Sequence, residues 1–267
     1  MKLFVNGVET SIDKPLNLLQ LSKLLNMEAD IFIVNSFPND TSYIVKENDN
    51  ISFIKRGTVP KEEHLEYLLN CRQGITITNV LKSSKVVICG CGGLGSNVAV
   101  SLARSGIGYI KLIDFDVVEP SNINRQCYFI NQIGEYKTNA LKNIITEINP
   151  YINVDVSNVL LDESNIIDEV SGFQVILECF DNVKSKLMLI EKCTAMLPNS
   201  FIIGASGVAG YFDTDIIKIK KLGANALIVG DFENEACENT PLMAPRVAVA
   251  AAIQANETLK YLLKDIK

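Results

Sequence analysis

The feature that most constrains this chain is Gly90-Cys91-Gly92-Gly93-Leu94-Gly95. It directly follows an apolar strand, Lys85–Cys89, and opens a helix expected over Leu94–Ser105. A G-x-G-x-x-G run in that setting needs glycine for the tight turn and for close backbone approach to a phosphate. The helix behind it offers free N–H groups and a partial positive charge. The same alternation continues downstream. Strands are expected at Tyr109–Ile113, Ile152–Val156, Gln174–Glu178 and Ser200–Ile203. A helix is expected over Gly134–Ile148, stopped by Asn149-Pro150, with apolar residues at 140, 141, 144, 145 and 148. Such βαβ alternation predicts an α/β fold with a doubly wound, mostly parallel sheet. Ile216–Lys220 and Leu227–Val229 are expected to add antiparallel strands. The alanine-rich last helix, Met243–Leu263, suits close packing on the sheet.

Residues 1–57 follow a different pattern. Lys2–Val5 is a short strand, Asn6-Gly7 supplies a type I′ turn, and Val8–Ile12 returns. Leucines at 16, 18, 19, 21, 24 and 25 cluster at helical spacing, and strands follow at Ile31–Val34 and Ile51–Ile54. Strand, strand, helix, strand, strand is the order of a β-grasp (ubiquitin-like) module. Residues 58–84 are read as a linker and helical segment, with a charged helix over 61–72, and residues 85–267 as the nucleotide-binding domain. At roughly 150 residues per domain, 267 residues accommodate this division.

Composition removes several function classes. Net charge is −6, which argues against a general nucleic-acid binder. His64 is the only histidine, too few for a histidine metal centre. The seven cysteines contain no C-x-x-C pair, so neither a zinc ribbon nor a thioredoxin-type motif is expected. No apolar run reaches the roughly 18 residues of a membrane span, and the N-terminus lacks a secretory pattern. With an odd cysteine count, this points to the cytoplasm.

The polar residues at strand ends refine the chemistry. Asp114 lies at the end of the second strand of the alternation, where an acid holds ribose hydroxyls. Asn122, Arg125 and Gln126 follow. Lys137 shares a stripe with Leu141 and Ile144 in the first turn of its helix, where a lysine needs an anionic partner. Asp181-Asn182, just past the strand at Gln174–Glu178, suits Mg²⁺ held through a carboxylate and phosphate oxygens, although both are also good helix caps. Two cations and a metal carboxylate exceed what hydride transfer needs and fit orientation of a triphosphate. An NAD-dependent oxidoreductase would account for the glycine loop and Asp114 only. A non-catalytic nucleotide-binding scaffold is the third reading.

The run GCGGLGSNVAVSLARSGIGYIKLIDFDVVEPSNINRQ, then GEYK, then ECFDN, resembles the ThiF/MoeB/HesA group of ubiquitin-activating-enzyme-like adenylyltransferases, over roughly residues 70–265. Within it the chain looks most like the ThiF type, tied to thiamin thiazole synthesis. The resemblance implies ATP and Mg²⁺ as cofactors. It also implies adenylation of the C-terminal Gly-Gly of a ThiS-like sulfur carrier, with other Gly-Gly carriers (molybdopterin, tRNA thiolation) or a peptide as alternative substrates. By position, Gly90, Gly92, Gly93 and Gly95 would line the phosphates and Asp114 would hold the ribose. Asn122, Arg125 and Lys137 would contact phosphates, Asp181 would bind Mg²⁺, and Asp116, Gln126 and Asn182 complete the nucleotide set. Arg72 matches an arginine inserted into the partner subunit's site, which implies a homodimer. Cys237, in the acidic and expectedly mobile loop 230–240, matches a sulfur-transfer cysteine, with a sulfur donor enzyme as a further partner; flanking Glu235 and Glu238 would disfavour its thiolate. The family's structural zinc is not expected. The N-terminal module looks like the carrier itself, yet it runs through Arg56-Gly57 into Thr58 and so presents no terminal carboxylate.

Overall fold

Asn6 and Gly7 take φ of 48° and 81°, the left-handed pair that a type I′ turn requires. They join β1 (Lys2–Val5) to β2 (Val8–Ser11) in an antiparallel hairpin. α1 (Leu18–Leu24) follows, its start fixed by a reciprocal capping box between Asn17 and Gln20. β3 (Ile31–Val34), β4 (Phe37–Asn39) and β5 (Asn50–Ile54) complete a five-stranded sheet of order β2-β1-β5-β3-β4. β4 was not expected from the sequence. It has three residues, one of them Pro38, and such a strand survives because it lies at the edge.

The structure, a computed structural model, describes residues 1–266. Lys267, the last residue of the expected enzyme domain, lies outside the described residues, as do the side chains of residues 62 and 63 within the helix expected over 61–72.

Alternation along β5 sends Ile51 and Phe53 to one face, into a core with Leu3, Val5, Leu18 and Leu21 of β1 and α1. Asn50 and Ser52 point to the other face, where Ser52 and Ile33 are also buried. The cover on that side is α2 (Glu62–Asn70) and the turn behind it. The Tyr67 hydroxyl hydrogen-bonds Asn50 Oδ1, and its ring lies so close to Gly7 that an added Cβ would come within 2.9 Å of it. A small cavity between the two is lined by Ser36, Asn50, Tyr67, Asn70 and Cys71 among others. The first compact unit is therefore Met1–Asn79, and its limit falls within α3 (Ile75–Ser83). That helix opens on the β-branched run Ile75-Thr76-Ile77-Thr78, which propensity alone disfavours.

The second unit, Val80–Lys267, is an α/β layer structure. Its elements in order are β6 (Lys85–Cys89), α4 (Gly93–Arg104), β7 (Tyr109–Ile113), α5 (Lys137–Ile148), β8 (Asn153–Ser157), α6 (Ile166–Val170), β9 (Val175–Glu178), α7 (Val183–Met196), β10 (Phe201–Ala205), β11 (Lys218–Leu222), β12 (Ala226–Gly230) and α8 (Ala244–Leu262). The seven strands run β11-β12-β10-β9-β6-β7-β8. Only β11 is antiparallel; β12 runs parallel to β10, which corrects the expectation of two antiparallel additions. On one face Val87, Ile176 and Ile202 pack with Ile166 and Val170 of α6 and Leu189 and Cys193 of α7. α4, α5 and α8 lie on the sheet as well, and α8 packs along α4 through Ala250, Ala251 and Ala255, all buried. α5 starts at Lys137, three residues later than expected, because Gly134 adopts φ +92° in a turn that donates its N–H to Val118 O. No helix among the described residues is long and apolar enough to cross a membrane.

Candidate functional site

Strand order reverses at β6, with β7 leading away on one side and β9 on the other. A doubly wound sheet opens its ligand crevice at the carboxyl ends of such a pair. Here the crevice is bordered by the glycine loop after β6 and the short connection from β9 to α7. Gly90 has φ +94°, and a Cβ there would lie 2.8 Å from Cys179 O, so the two loops are in direct backbone contact. Gly95 lies where α4 crosses the end of β6. A Cβ on it would overlap Gly90 O and come within 2.9 Å of the Gly90 carbonyl carbon. Gly92, the N-cap of α4, is different: the nearest atom to an added Cβ is Gln126 Nε2 at 3.9 Å. Its vacant side faces open space where an anion would meet the helix N-terminus.

Asp114, at the end of β7, is 9% exposed and holds the loop in shape. Oδ2 accepts from Cys91 N–H at 2.6 Å and Oδ1 from Asp116 N–H at 2.9 Å. Burial pushes its carboxyl above the usual range, against those two N–H groups and Lys137. Lys137 is buried at the first position of α5, and its Nζ meets Asp116 Oδ2 at 2.8 Å. The anionic partner that the sequence required is thus Asp116, whose side chain is 47% exposed. Tyr128, which the sequence reading passed over, is buried and donates to Cys91 O at 2.7 Å and to Lys137 O at 3.3 Å. It joins the glycine loop to α5.

The segment 119–126 is less uniform than expected. Asn122 is buried and turned inward: its Oδ1 accepts from Glu119 N–H at 3.1 Å, closing a single turn of 3-10 helix at Pro120–Asn122. Its oxygen shapes the loop that runs into Arg125 and Gln126. Arg125 is half-buried and donates from Nη1 to Ser121 O and to Asn124 Oδ1. Asn97 of α4 ties this segment down, donating to Gly93 O at 2.7 Å and Arg125 O at 3.3 Å. Gln126 is buried, next to Gly92, and its Oε1 has no hydrogen-bond partner. A buried unpaired acceptor costs about 1–3 kcal/mol; the other end of the same amide, Nε2, is the end that lies by Gly92.

Asp181 and Asn182 are exposed beyond the end of β9. Asn182 is the N-cap of α7, its Oδ1 accepting from Ser185 N–H at 2.8 Å. Among the described residues no three His, Cys, Asp or Glu side chains converge as a metal cage. A single carboxylate fits Mg²⁺, which takes one or two carboxylates plus phosphate oxygens and water. Arg72 is exposed in the turn after α2, in the first unit, and is not among the side chains the second unit gathers.

The loop bearing Cys237 was expected to be mobile, yet both its feet are held. Arg246 of α8 is 2% exposed and pairs with Asp231, while its Nη1 donates to Phe212 O at 2.8 Å and Asp213 O at 2.9 Å. Gly210 N–H donates to Pro241 O at 2.8 Å. The tip is a turn in which Cys237 and Thr240 exchange backbone hydrogen bonds. The Thr240 hydroxyl, with the backbone N–H groups of Asn239 and Thr240, holds the exposed Cys237 thiol below its ordinary value. Cys89, Cys91 and Cys179 are buried with their thiols pushed up.

Comparison with known proteins agrees with this arrangement. The profile of the ThiF family matches residues 70–267, and that of ThiS-like ubiquitin matches residues 1–57. The chain is 32% identical over 193 residues to the molybdopterin-synthase adenylyltransferase of Haemophilus influenzae, covering 69% of this chain and 76% of that protein. It is 30% identical over 196 residues to the adenylyltransferase and sulfurtransferase of Saccharomyces cerevisiae, covering 68% of this chain and 42% of that protein. Among solved structures, E. coli tRNA N6-threonylcarbamoyladenosine dehydratase in complex with ATP superposes with a TM-score of 0.66 at 22% identity, over 72% of this chain and 90% of that one. At that identity it shows the fold alone. E. coli MccB with ATP superposes with a TM-score of 0.56 at 26% identity, over 74% and 62%.

Proposed function

The chain belongs to the ThiF family, and we propose that it uses ATP to adenylate the C-terminal glycine of a separate ThiS-like sulfur carrier for thiamin thiazole synthesis. The observation that carries this reading is the edge that gathers the open cradle at Gly92, Asp114 holding the glycine loop and the buried Lys137. The carrier's terminal carboxylate attacks the α-phosphorus of ATP. A carboxyl O–P bond forms, the bond from the α-phosphorus to the bridging oxygen breaks, and pyrophosphate leaves with that electron pair. The nucleophile is already ionised, so no general base is needed, in keeping with a chain whose single histidine is His64.

Each residue then has a role. The α4 N-terminus and the N–H groups of Gly92, Gly93 and Gly95 receive phosphate oxygens. Asp114 holds the ribose while keeping its hydrogen bond to Cys91. Gln126 Nε2, beside Gly92, donates to a nucleotide oxygen. Lys137 exchanges Asp116 for a phosphate oxygen, and Arg125 turns from Ser121 O to the same charge. Asp181 would hold Mg²⁺, which would supply neutralisation of phosphate charge. Arg72 enters a second copy's site in a homodimer; exposed Phe115, Phe129 and Ile130, the last 78% exposed, supply apolar surface for such an interface. Cys237, with its lowered thiol, forms the covalent link to the carrier. Its thiolate attacks the acyl-adenylate carbonyl, a C–S bond forms, and the C–O bond to AMP breaks with AMP leaving. Sulfide supplied by a sulfur donor enzyme then displaces the Cys237 thiolate to leave the carrier thiocarboxylate. The ThiS-like module at 1–57 serves as a structural or docking domain. The free thiols suit a reducing cytoplasm.

A second reading, in which the carrier serves molybdopterin synthesis, is favoured by the name of the 32% identical relative. The test is ATP–pyrophosphate exchange with purified Gly-Gly-ended carriers of both kinds. Exchange only with the ThiS-like carrier is expected. Exchange with the molybdopterin carrier alone selects the second reading, and no exchange with either defeats both.

A further inference from the structure

A buried carboxylate with no part in the chemistry above lies just behind Asp181. Glu178, the last residue of β9, is 0% exposed. Its Oε1 accepts from Phe180 N–H at 2.7 Å and from Lys186 Nζ at 3.0 Å. Its Oε2 accepts from Lys186 Nζ at 3.2 Å and from Ala205 N–H at 3.3 Å. One side chain thus ties together β9, the β9–α7 connection, α7 and the end of β10. Room is kept for it, since a Cβ on Gly204 would come within 3.1 Å of Oε2. Gln254 of α8 donates to the Glu178 carbonyl at 3.3 Å.

The pinned connection is only Cys179, Phe180 and Asp181, and it ends at the Asn182 cap. Phe180 N–H is held directly by Glu178, one residue before Asp181. Cys179 O meets Gly90 on the other side. A buried ion pair is weak evidence for stability, because well-packed apolar residues of the same volume often do as well. An apolar pair could not hold the Phe180 N–H, and that bond sets the direction in which the chain leaves β9.

We propose that Glu178, with Lys186 as its counter-ion, is a positioning residue that fixes the β9–α7 turn so that Asp181 meets the metal bound to the nucleotide. This rests on the reading of Asp181 as the Mg²⁺ ligand. The test is calorimetric binding of ATP to the full chain, with Mg²⁺ and with chelator, for wild type, Asp181→Ala, Glu178→Gln and the charge-free double variant Glu178→Gln/Lys186→Met. The expected result for both Glu178 variants is chelator-measured ATP affinity within about twofold of wild type and a Mg²⁺-dependent gain reduced about tenfold, the size usual for losing an outer-shell partner. Asp181→Ala should lose that gain entirely. Glu178 variants with a wild-type gain, while Asp181→Ala loses it, overturn the positioning role alone. Equal loss with and without Mg²⁺ shows a merely structural role and overturns it too. A wild-type gain in Asp181→Ala overturns the metal reading itself.

Discussion

Gly92 and Gly95, three residues apart, behave oppositely in this loop, and that contrast is testable. A Cβ on Gly95 would overlap Gly90 O and lie 2.9 Å from the carbonyl carbon, with Ile88 Cγ2 at 3.2 Å on its other side. Backbone cannot rotate away as a side-chain end can, so α4 and β6 must separate. Overpacking of this kind costs about 1–3 kcal/mol, more where backbone is displaced. For a unit of this size that is a fall in Tm of about 2–4 °C per kcal/mol. Gly95→Ala should therefore lose several degrees in a thermal melt and also weaken ATP binding, because the loop that receives the phosphates moves with Gly90. Gly92→Ala meets nothing nearer than 3.9 Å. Its Tm should stay within about 2 °C, the effect of a surface substitution of roughly 0.5 kcal/mol. Yet its methyl group occupies the approach to the helix N-terminus, so ATP affinity by calorimetry should drop at least tenfold. A Gly95→Ala protein with wild-type Tm would refute the packing argument. Wild-type ATP affinity in Gly92→Ala would refute the placement of the phosphates.

Lys137→Met should separate activity from stability. Its partner Asp116 is half-exposed and stays solvated when left alone, so the melt should change by about 1 kcal/mol or less; carrier-dependent pyrophosphate exchange should fall about 10²–10³-fold, as when a donor to developing charge is removed. Exchange at wild-type rate would remove Lys137 from the site. Cys237 should be alkylated by iodoacetamide faster at neutral pH than a free cysteine, and its rate-versus-pH midpoint should lie below the ordinary thiol value and rise in Thr240→Val. Reaction follows the thiolate, so the advantage shrinks as pH rises through the ordinary value, where any thiol ionises. A midpoint at or above that of free cysteine would exclude the proposed hydrogen bonds.

The parallel sheet and the edge at which its ligand crevice opens were legible in the sequence, because Gly90–Gly95 and the apolar strands state them in local pattern. Individual side-chain duties were less so. Asn122 and Asn182 have the right type at the right spacing, and the fold also uses the oxygen of each to close a turn, which spacing does not show. Glu178 and Arg246 carry no signal: an acid at a strand end and an arginine in an alanine-rich helix read as solvated charges until tertiary contacts bury them. The hydrogen bonds that lower the Cys237 thiol come from across its turn, so chain neighbours do not reveal them. α3 was missed because four β-branched residues open it, and propensity yields to packing there.

The helix α2 lying on the outer face of the first sheet sets where this chain can be divided. A fragment ending at Gly57 matches the ThiS-like module by sequence, but it would leave Ile33 and Ser52 facing water and remove the Tyr67 partner of Asn50. A fragment ending at Asn79 retains all three. The ThiS-like match and the compact unit therefore end some twenty residues apart. Any rearrangement that moved the module alone to another protein would have to carry α2 with it or supply a new cover.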